Sequence, residues 1–284
     1  MNVTGVADGA NAARVARGTP PTVLVFSGSD PSGGAGMQAD ITAIAALGAH
    51  PFSVPTVLTV QDNERVFGVH PLPPELVRQQ AQVLIERFRI DAVKLGVVGN
   101  RANAEVIAEL IAALRLKQPE LPVVLDPVLA NGGGDALSSE EPMVAIAPLF
   151  GLASVLTPNR IEAQRLCGGA AEPQRQAQLL LARGAGYVLL KGGHGPERDV
   201  VINRLFGRDG SQQCWSWPRL PGEFHGSGCT LAAALAALLA AGLPMAVAVA
   251  RAQAYCQRSL DASYALAAGQ RFPNRTAPFL KEVP

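Results

Sequence analysis

His225-Gly226-Ser227-Gly228-Cys229-Thr230 brings together what phosphate chemistry asks of a short peptide. The glycines let a ligand approach the backbone closely, Ser227 adds a hydroxyl and Cys229 a thiol. Leu231, Leu235, Leu238 and Leu239 follow at helical spacing, so the hexapeptide opens a helix whose free N–H groups and dipole face whatever sits above the loop. That is an anion hole. Gly226, Ser227, Gly228 and Cys229 are therefore the catalytic candidates for transferring phosphate from a nucleotide to a small molecule. The competing reading is a glycine-rich helix start that happens to contain a buried cysteine.

A second glycine-rich turn, Gly28-Ser29-Asp30-Pro31-Ser32-Gly33-Gly34-Ala35-Gly36, leads into a segment that contains Asp40. No Gly-Lys-Ser/Thr follows it and the dinucleotide spacing is absent, so it is neither a Walker A loop nor a Rossmann fingerprint. Three further groups fall at the ends of short apolar runs: Asp126-Pro127, Thr157-Pro158-Asn159 with Glu162, and Lys191-Gly192-Gly193-His194. In a parallel sheet, ligands collect beyond the carboxyl ends of the strands, so these residues would converge on one crevice. Asp126 and Glu162 could hold Mg²⁺ there through water, although each alone could equally be a helix cap or a surface charge. Gln61 ends the run Val57 to Val60 and must either satisfy backbone groups or face a ligand. His50, His70 and His194 lack metal-ligand spacing and read as loop residues.

The elements that must position these residues alternate. Strands are predicted at 22–27, 53–59, 92–95, 122–126, 154–156 and 187–191, and helices at 37–47, 74–88, 103–116, 140–150 and 174–183. Such alternation predicts an α/β fold with a mostly parallel sheet. Residues 200–206 and 213–217 flank Gly207-Arg208-Asp209-Gly210, which predicts an antiparallel hairpin at the sheet edge. From about Gly226 to Leu266 the chain reads as helical. Residues 1–21 read as a flexible leader, 22–270 as a single domain, and 271–284 as an irregular tail opposed to regular structure by Pro273 and Pro278.

Composition excludes several classes. A net charge of +1 over 284 residues provides no broad field for nucleic acid or an anionic membrane. The longest apolar stretch, Thr230 to Leu243, falls short of the roughly 20 residues a span requires. Cys167, Cys214, Cys229 and Cys256 are too widely spaced for a zinc knuckle or a redox pair, and a reduced cytoplasm suits them.

Taken together, Ser27 to Asp40, Thr157-Pro158-Asn159-Arg160-Ile161-Glu162, Lys191 to His194 and His225 to Thr230 resemble the hydroxymethylpyrimidine/phosphomethylpyrimidine kinases of the ribokinase-like superfamily, in order, between about residues 22 and 266. The resemblance implies a three-layer α/β/α sandwich and a homodimer. It also implies MgATP-dependent phosphorylation of 4-amino-5-hydroxymethyl-2-methylpyrimidine, and then of its monophosphate, in thiamine biosynthesis. It places the pyrimidine near Gly28, Asp40, Gln61, Val97 and Val128, the nucleotide near Asn159, Lys191 and His225, and the metal near Asp126 and Glu162.

The chain departs from the family pattern at Val97, where methionine is common, and at Leu129 to Asp135, which lacks the lysine of Ala-Lys-Ser-Gly-Asp. Gly132 to Gly134 reads as a candidate hinge. Related sugar kinases carry an aspartate base where Cys229 stands, and a thiol at a helix N-terminus is expected to have a lowered pKa and so to accept the proton. The alternatives are a pyridoxal or pyridoxine kinase, a pyrimidine-binding sensor without turnover, and a structural or redox role for Cys229.

Overall fold

The computed structural model describes residues 18–129, 137 and 142–277. The departure at 130–135 and the candidate hinge lie outside them, as does the leader up to residue 17. Nine strands form one sheet in the order β3-β2-β1-β4-β5-β6-β7-β8-β9. In chain order they are β1 (Thr22–Ser29), β2 (His50–Gln61), β3 (Val66–Pro71), β4 (Ala92–Leu95), β5 (Val123–Leu125), β6 (Val155–Leu156), β7 (Tyr187–Leu190), β8 (Val200–Gly207) and β9 (Gln212–Pro218). The run from β2 through β1 and β4 to β7 is parallel. The hairpin predicted at one edge is present as β8 and β9, both antiparallel.

The other edge holds a strand that sequence reading misses. β3 pairs antiparallel with β2, and its residues are half-buried or exposed, so it lacks the buried apolar run that marks the central strands.

The helices are α1 (Gly36–Ala46), α2 (Pro74–Arg87), α3 (Arg101–Lys117), α4 (Pro142–Ile146), α5 (Arg160–Leu166), α6 (Pro173–Ala182), α7 (Ser227–Ala240) and α8 (Met245–Asp261). They cover both faces of the sheet. Leu24 and Phe26 of β1 pack into a core with α2 to α6, while Val23 and Val25 point the other way into a core with α1, α7 and α8. The period of two along β1 thus divides the interior into two layers of side chains, and the architecture is the expected α/β/α sandwich.

Two helical expectations change in the structure. The helix expected over 140–150 is only α4, followed by a 3₁₀ helix over Ala147–Leu152, because Pro148 lacks the N–H that an α-helix interior needs. The long C-terminal helix is two helices: Gly242 adopts φ 82° just past α7, and Pro244 stands ahead of α8. α7 is buried almost all round, its alanines allowing close approach to α1, α8 and the sheet.

Candidate active site

The carboxyl ends of β5, β6 and β7 lie side by side, so the residues that follow them are brought together by the ladder. Asp126 donates its N–H to the Leu95 carbonyl at 2.9 Å and Thr157 its N–H to Leu125 at 3.0 Å. Lys191 continues the register by donating to Pro158 at 2.9 Å, which pairs it with Asn159. Lys191 Nζ then reaches Asp126 Oδ1 at 2.8 Å and stands 4.0 Å from Glu162 Oε2. Thr157 Oγ1 donates to the same Asp126 oxygen at 2.9 Å.

Asn159 and Glu162 form a capping box that starts α5: Glu162 N donates to Asn159 Oδ1 at 2.9 Å, and Asn159 N donates to Glu162 Oε2 at 2.7 Å. The capping box therefore also fixes both residues beside Lys191.

The first turn of α7 meets this cluster. A methyl group placed on Gly228 would stand 3.0 Å from Lys191 Nζ and 3.7 Å from Asp126 Oδ2. Behind it, the two glycine-rich segments interlock. Gly226 has φ 78°, and any side chain there would strike the Gly34 carbonyl; a side chain at Gly34 would strike the His225 ring. The His225 ring is buried, with Nε2 2.9 Å from Asp30 Oδ2 and Nδ1 3.1 Å from Gln270 Oε1. Burial acts to raise the pKa of Asp30, yet hydrogen bonds from His225, Ser32 and the Ala35 amide hold it below its usual value.

A cavity of about 630 Å³ opens above these groups. Gly28, Gln61, Val97, Asp126, Val128, Asn159, Glu162, Lys191, His225, Gly226, Ser227, Gly228 and Cys229 all line it. Asp40 does not. It is fully buried within α1 and pairs with the equally buried Lys94 at 2.7 Å. Asp40 chiefly holds the Lys94 ammonium above its ordinary pKa, against the effect of burial. Neither residue of the pair lines the cavity. His225 touches the cavity, but both of its ring nitrogens are engaged by protein groups, so its visible role is to hold the two loops together.

Sequence reading missed several lining residues, among them Asn203, Trp217 and Gln253. The Gln253 Oε1 accepts from Asn203 Nδ2 at 2.8 Å and from Trp217 Nε1 at 2.9 Å, while Asn203 Oδ1 accepts from Gly192 N at 2.8 Å. The available signal was Asn203, a polar residue inside the run Val200-Val201-Ile202-Asn203.

The family profile described as phosphomethylpyrimidine kinase matches residues 30–274. The chain belongs to that family. It is 38% identical over 260 residues to the hydroxymethylpyrimidine/phosphomethylpyrimidine kinase of Streptomyces coelicolor, covering 88% of this chain and 93% of that one. It is 37% identical over 257 residues to the thiamine biosynthesis multifunctional protein ThiED of Corynebacterium efficiens, a longer protein of which the match spans 34%.

Among solved structures, the pyridoxal kinase of Staphylococcus aureus in complex with AMP-PCP and pyridoxal superposes with a TM-score of 0.80 at 27% identity, over 92% of this chain and 96% of that one. The phosphomethylpyrimidine kinase of Clostridium difficile does so with 0.68 at 29% identity, over 84% and 98%. The fold is ribokinase-like.

Within this family site, the electrostatics correct one expectation. The Cys229 thiol is buried, and burial pushes its pKa up to about 11, more than Lys94 and the Gly36 amide lower it. The helix N-terminus acts in the expected direction, but loss of water wins. At neutral pH Cys229 is a neutral thiol.

The consequence is measurable by alkylation. Iodoacetamide at pH 8 should modify the exposed Cys214 and leave Cys229 almost untouched, since a thiol this far above the pH is ionised to about one part in a thousand. Labelling of Cys229 should then rise about tenfold per pH unit up to pH 10. Peptide mass spectrometry that finds both cysteines modified equally fast at pH 8 would show the thiol to be ionised.

The acidic pair fits a divalent cation. Asp126 Oδ2 is buried without a hydrogen-bond partner among the described residues, an orphaned acceptor, and Asp126 and Glu162 line the same cavity. Burial raises the Glu162 carboxyl to about 7 against the pull of Lys191, with the Asp126 charge raising it further. Among the described residues no set of three or more metal-ligating side chains gathers, so an ion here would keep most of its ligands as water and substrate oxygens, which is the habit of Mg²⁺.

Proposed function

We propose that the chain is an ATP-dependent kinase of thiamine biosynthesis that phosphorylates 4-amino-5-hydroxymethyl-2-methylpyrimidine and then its monophosphate. The observation that carries this is the placement of Cys229 in the first turn of α7, in one cavity with Lys191, Asp126 and Glu162. Gly28, Gln61, Val97 and Val128 line the wall assigned to the pyrimidine, and Asn159 with Lys191 the side assigned to the nucleotide.

Mg²⁺ held by Asp126 and Glu162 would neutralise charge on the phosphate oxygens. The amides of Gly226 to Gly228 and the Lys191 ammonium are aimed at the transferring group and stabilise charge that develops there. Phosphoryl transfer proceeds through a loose transition state with little need for early deprotonation of the acceptor, so as the new O–P bond forms and the bond to ADP breaks the hydroxyl proton can leave late, to a phosphate oxygen or water, and a neutral thiol in the cavity is sufficient. Cys229 then shapes the site without repelling the anionic monophosphate, as a fixed carboxylate would.

Two variants separate these roles. Cys229→Asp should slow phosphorylation of the monophosphate at least about tenfold more than phosphorylation of the alcohol, because like charges repel in a dry site. Cys229→Ala should retain the second step within a few-fold. Equal tolerance of aspartate in the two half-reactions would sink this account.

The overall reading is tested by ADP release with the pyrimidine alcohol, its monophosphate and pyridoxal as acceptors. Turnover of both pyrimidines is expected, and no ADP from any acceptor would overturn it. Pyridoxal kinase activity is the second reading, favoured by the higher TM-score to the Staphylococcus aureus pyridoxal kinase, and faster turnover of pyridoxal would establish it.

We also infer a homodimer, supported by the exposed apolar residues Leu58, Val60 and Phe67 on the β2–β3 edge. The four cysteines, all free, support a reducing cytoplasmic setting.

A further inference from the structure

The chain from Gln270 to Thr276 forms no long helix or strand, yet it is not a loose tail. Gln270, Phe272 and Arg275 are buried, His225 N donates to the Arg271 carbonyl at 2.9 Å, and the Tyr255 hydroxyl donates to the Arg275 carbonyl at 2.7 Å. This threads Arg275 behind both glycine-rich segments. The residue is 6% exposed. Nε donates to Thr230 Oγ1 at 2.9 Å, Nη2 donates to the Gly34 carbonyl, and Nη1 reaches the Gly33 carbonyl at 3.5 Å. Thr230 Oγ1 passes the bond on by donating to the Gly226 carbonyl at 2.9 Å.

Two features of this arrangement require explanation. Every partner of the guanidinium is a neutral oxygen, and among the described residues no carboxylate lies within ion-pair distance of it. A buried cation without a counter-ion is costly, and arginine does not shed the cost by losing its proton. Of the carbonyls in this chain of bonds, that of Gly226 belongs to the peptide that opens α7, where it also accepts the Thr230 N–H at 2.9 Å, and that of Gly34 packs directly against Gly226. Within one peptide plane C=O and N–H point in opposite directions, so a Gly226 carbonyl held down the axis of α7 turns the Ser227 N–H outward. The Gly34 carbonyl held toward Arg275 likewise turns the Ala35 N–H to Asp30 Oδ2, where it donates at 2.7 Å.

We infer that Arg275 is a positioning residue for phosphoryl transfer: its fork pins Gly33, Gly34 and Thr230 and so holds together the two glycine-rich segments that meet at the start of α7, and its charge, which meets no carboxylate among the described residues, adds to the positive field behind the anion hole. This rests on the kinase reading of the site. The glycines contribute permissive backbone, and the arginine from the far end of the chain selects one orientation of it.

The test uses the full chain and three variants, Arg275→Met, Arg275→Lys and Thr230→Val. Arg275→Met should lower kcat about 10- to 100-fold, the cost of disturbing one element of a preorganised electrostatic site, with KM for the pyrimidine unchanged within about threefold. Arg275→Lys keeps the charge but not the fork and should lie between it and the wild type. Thr230→Val should lower kcat about tenfold and combine with Arg275→Met less than additively, because both break one chain of bonds.

Affinity for inorganic pyrophosphate, measured by thermal shift, should fall about tenfold in Arg275→Met while pyrimidine affinity holds. A role confined to stability would weaken both ligands together. If Arg275→Met does not fold, Arg275→Lys and Thr230→Val decide the matter: wild-type kcat and wild-type pyrophosphate affinity in both would overturn the inference. Turnover by the wild type reports on the kinase reading separately. Should the wild type fail to turn over, the pyrophosphate affinities of the variants still decide the role of Arg275.

Discussion

Lys191→Met is expected to lower kcat by about 10²- to 10³-fold, the loss typical of removing one preorganised donor from a transition state that carries extra negative charge. The substitution keeps much of the side chain's length while removing the ammonium that stands between Asp126 and Glu162. Among the described residues it also leaves Asp126 with one oxygen that already lacks a partner and another that keeps the Thr157 hydroxyl. Breaking a buried pair in this way costs about 3 kcal/mol of stability.

The cost should depend on pH. In the folded protein burial holds the Glu162 carboxyl at about 7, above its ordinary value, so its ionisation disfavours the fold as pH rises through that point. Lys191 opposes this rise, and Asp126 and Glu162 in turn hold the ammonium above its ordinary pKa although burial works against it. Without the ammonium, Glu162 is neutral at pH 6 and must ionise unpaired or remain protonated at pH 8. Thermal melts should therefore show a wider gap between wild type and variant at pH 8 than at pH 6. An equal gap at both values, or a kcat within threefold of the wild type, would remove Lys191 from the role given to it here.

How much of this was legible beforehand depended on whether a residue's role is local. Gly226 to Cys229, Asp126, Asn159, Glu162 and Lys191 each stand where a strand or helix begins or ends, and such boundaries are written in short runs of sequence. The resemblance of the four motifs converted those separate boundaries into one site.

Asp40 was misplaced for the opposite reason. It lies in α1 among Ala39, Ala43 and Ile44, and only the fold shows that it turns inward to Lys94, 54 residues later. Cys229 lines the cavity with the other motif residues, but its expected low pKa was reversed, because the helix dipole is visible in the local sequence and the surrounding dry core is not. Arg275 was missed because Pro273 and Pro278 predict the absence of helix, which is true of 270–276, and irregular backbone was equated with a tail. Its contacts to Gly33 and Gly34 span more than 240 residues, beyond the reach of any local pattern.

The interlock of the two glycine-rich segments leads to the second large effect, expected for Gly226→Ala. Gly226 sits at φ 78°, where an alanine costs about 1–2 kcal/mol before any contact is considered. Here the added methyl would also meet the Gly34 carbonyl and stand 2.7 Å from Ala35 Cα, both backbone atoms that no rotamer change can move aside. Overpacking of this kind adds a further 1–3 kcal/mol or so, giving a total loss of about 2–5 kcal/mol.

Relief requires the Gly33–Ala35 segment to withdraw from the start of α7, which displaces the peptides proposed to face the transferring phosphate. A misplacement on the order of 1 Å at such a site costs about 10²-fold in rate. Gly210→Ala is the control. Gly210 has φ 82° in the β8–β9 turn with nothing near its would-be methyl, so the variant carries the conformational cost alone and should keep the wild-type kcat. If the two variants melt alike and turn over alike, the contact between Gly226 and Gly34 is not what holds the anion hole in place. If only Gly226→Ala loses both stability and rate, the same close approach of two backbones builds the fold at that point and sets the chemistry.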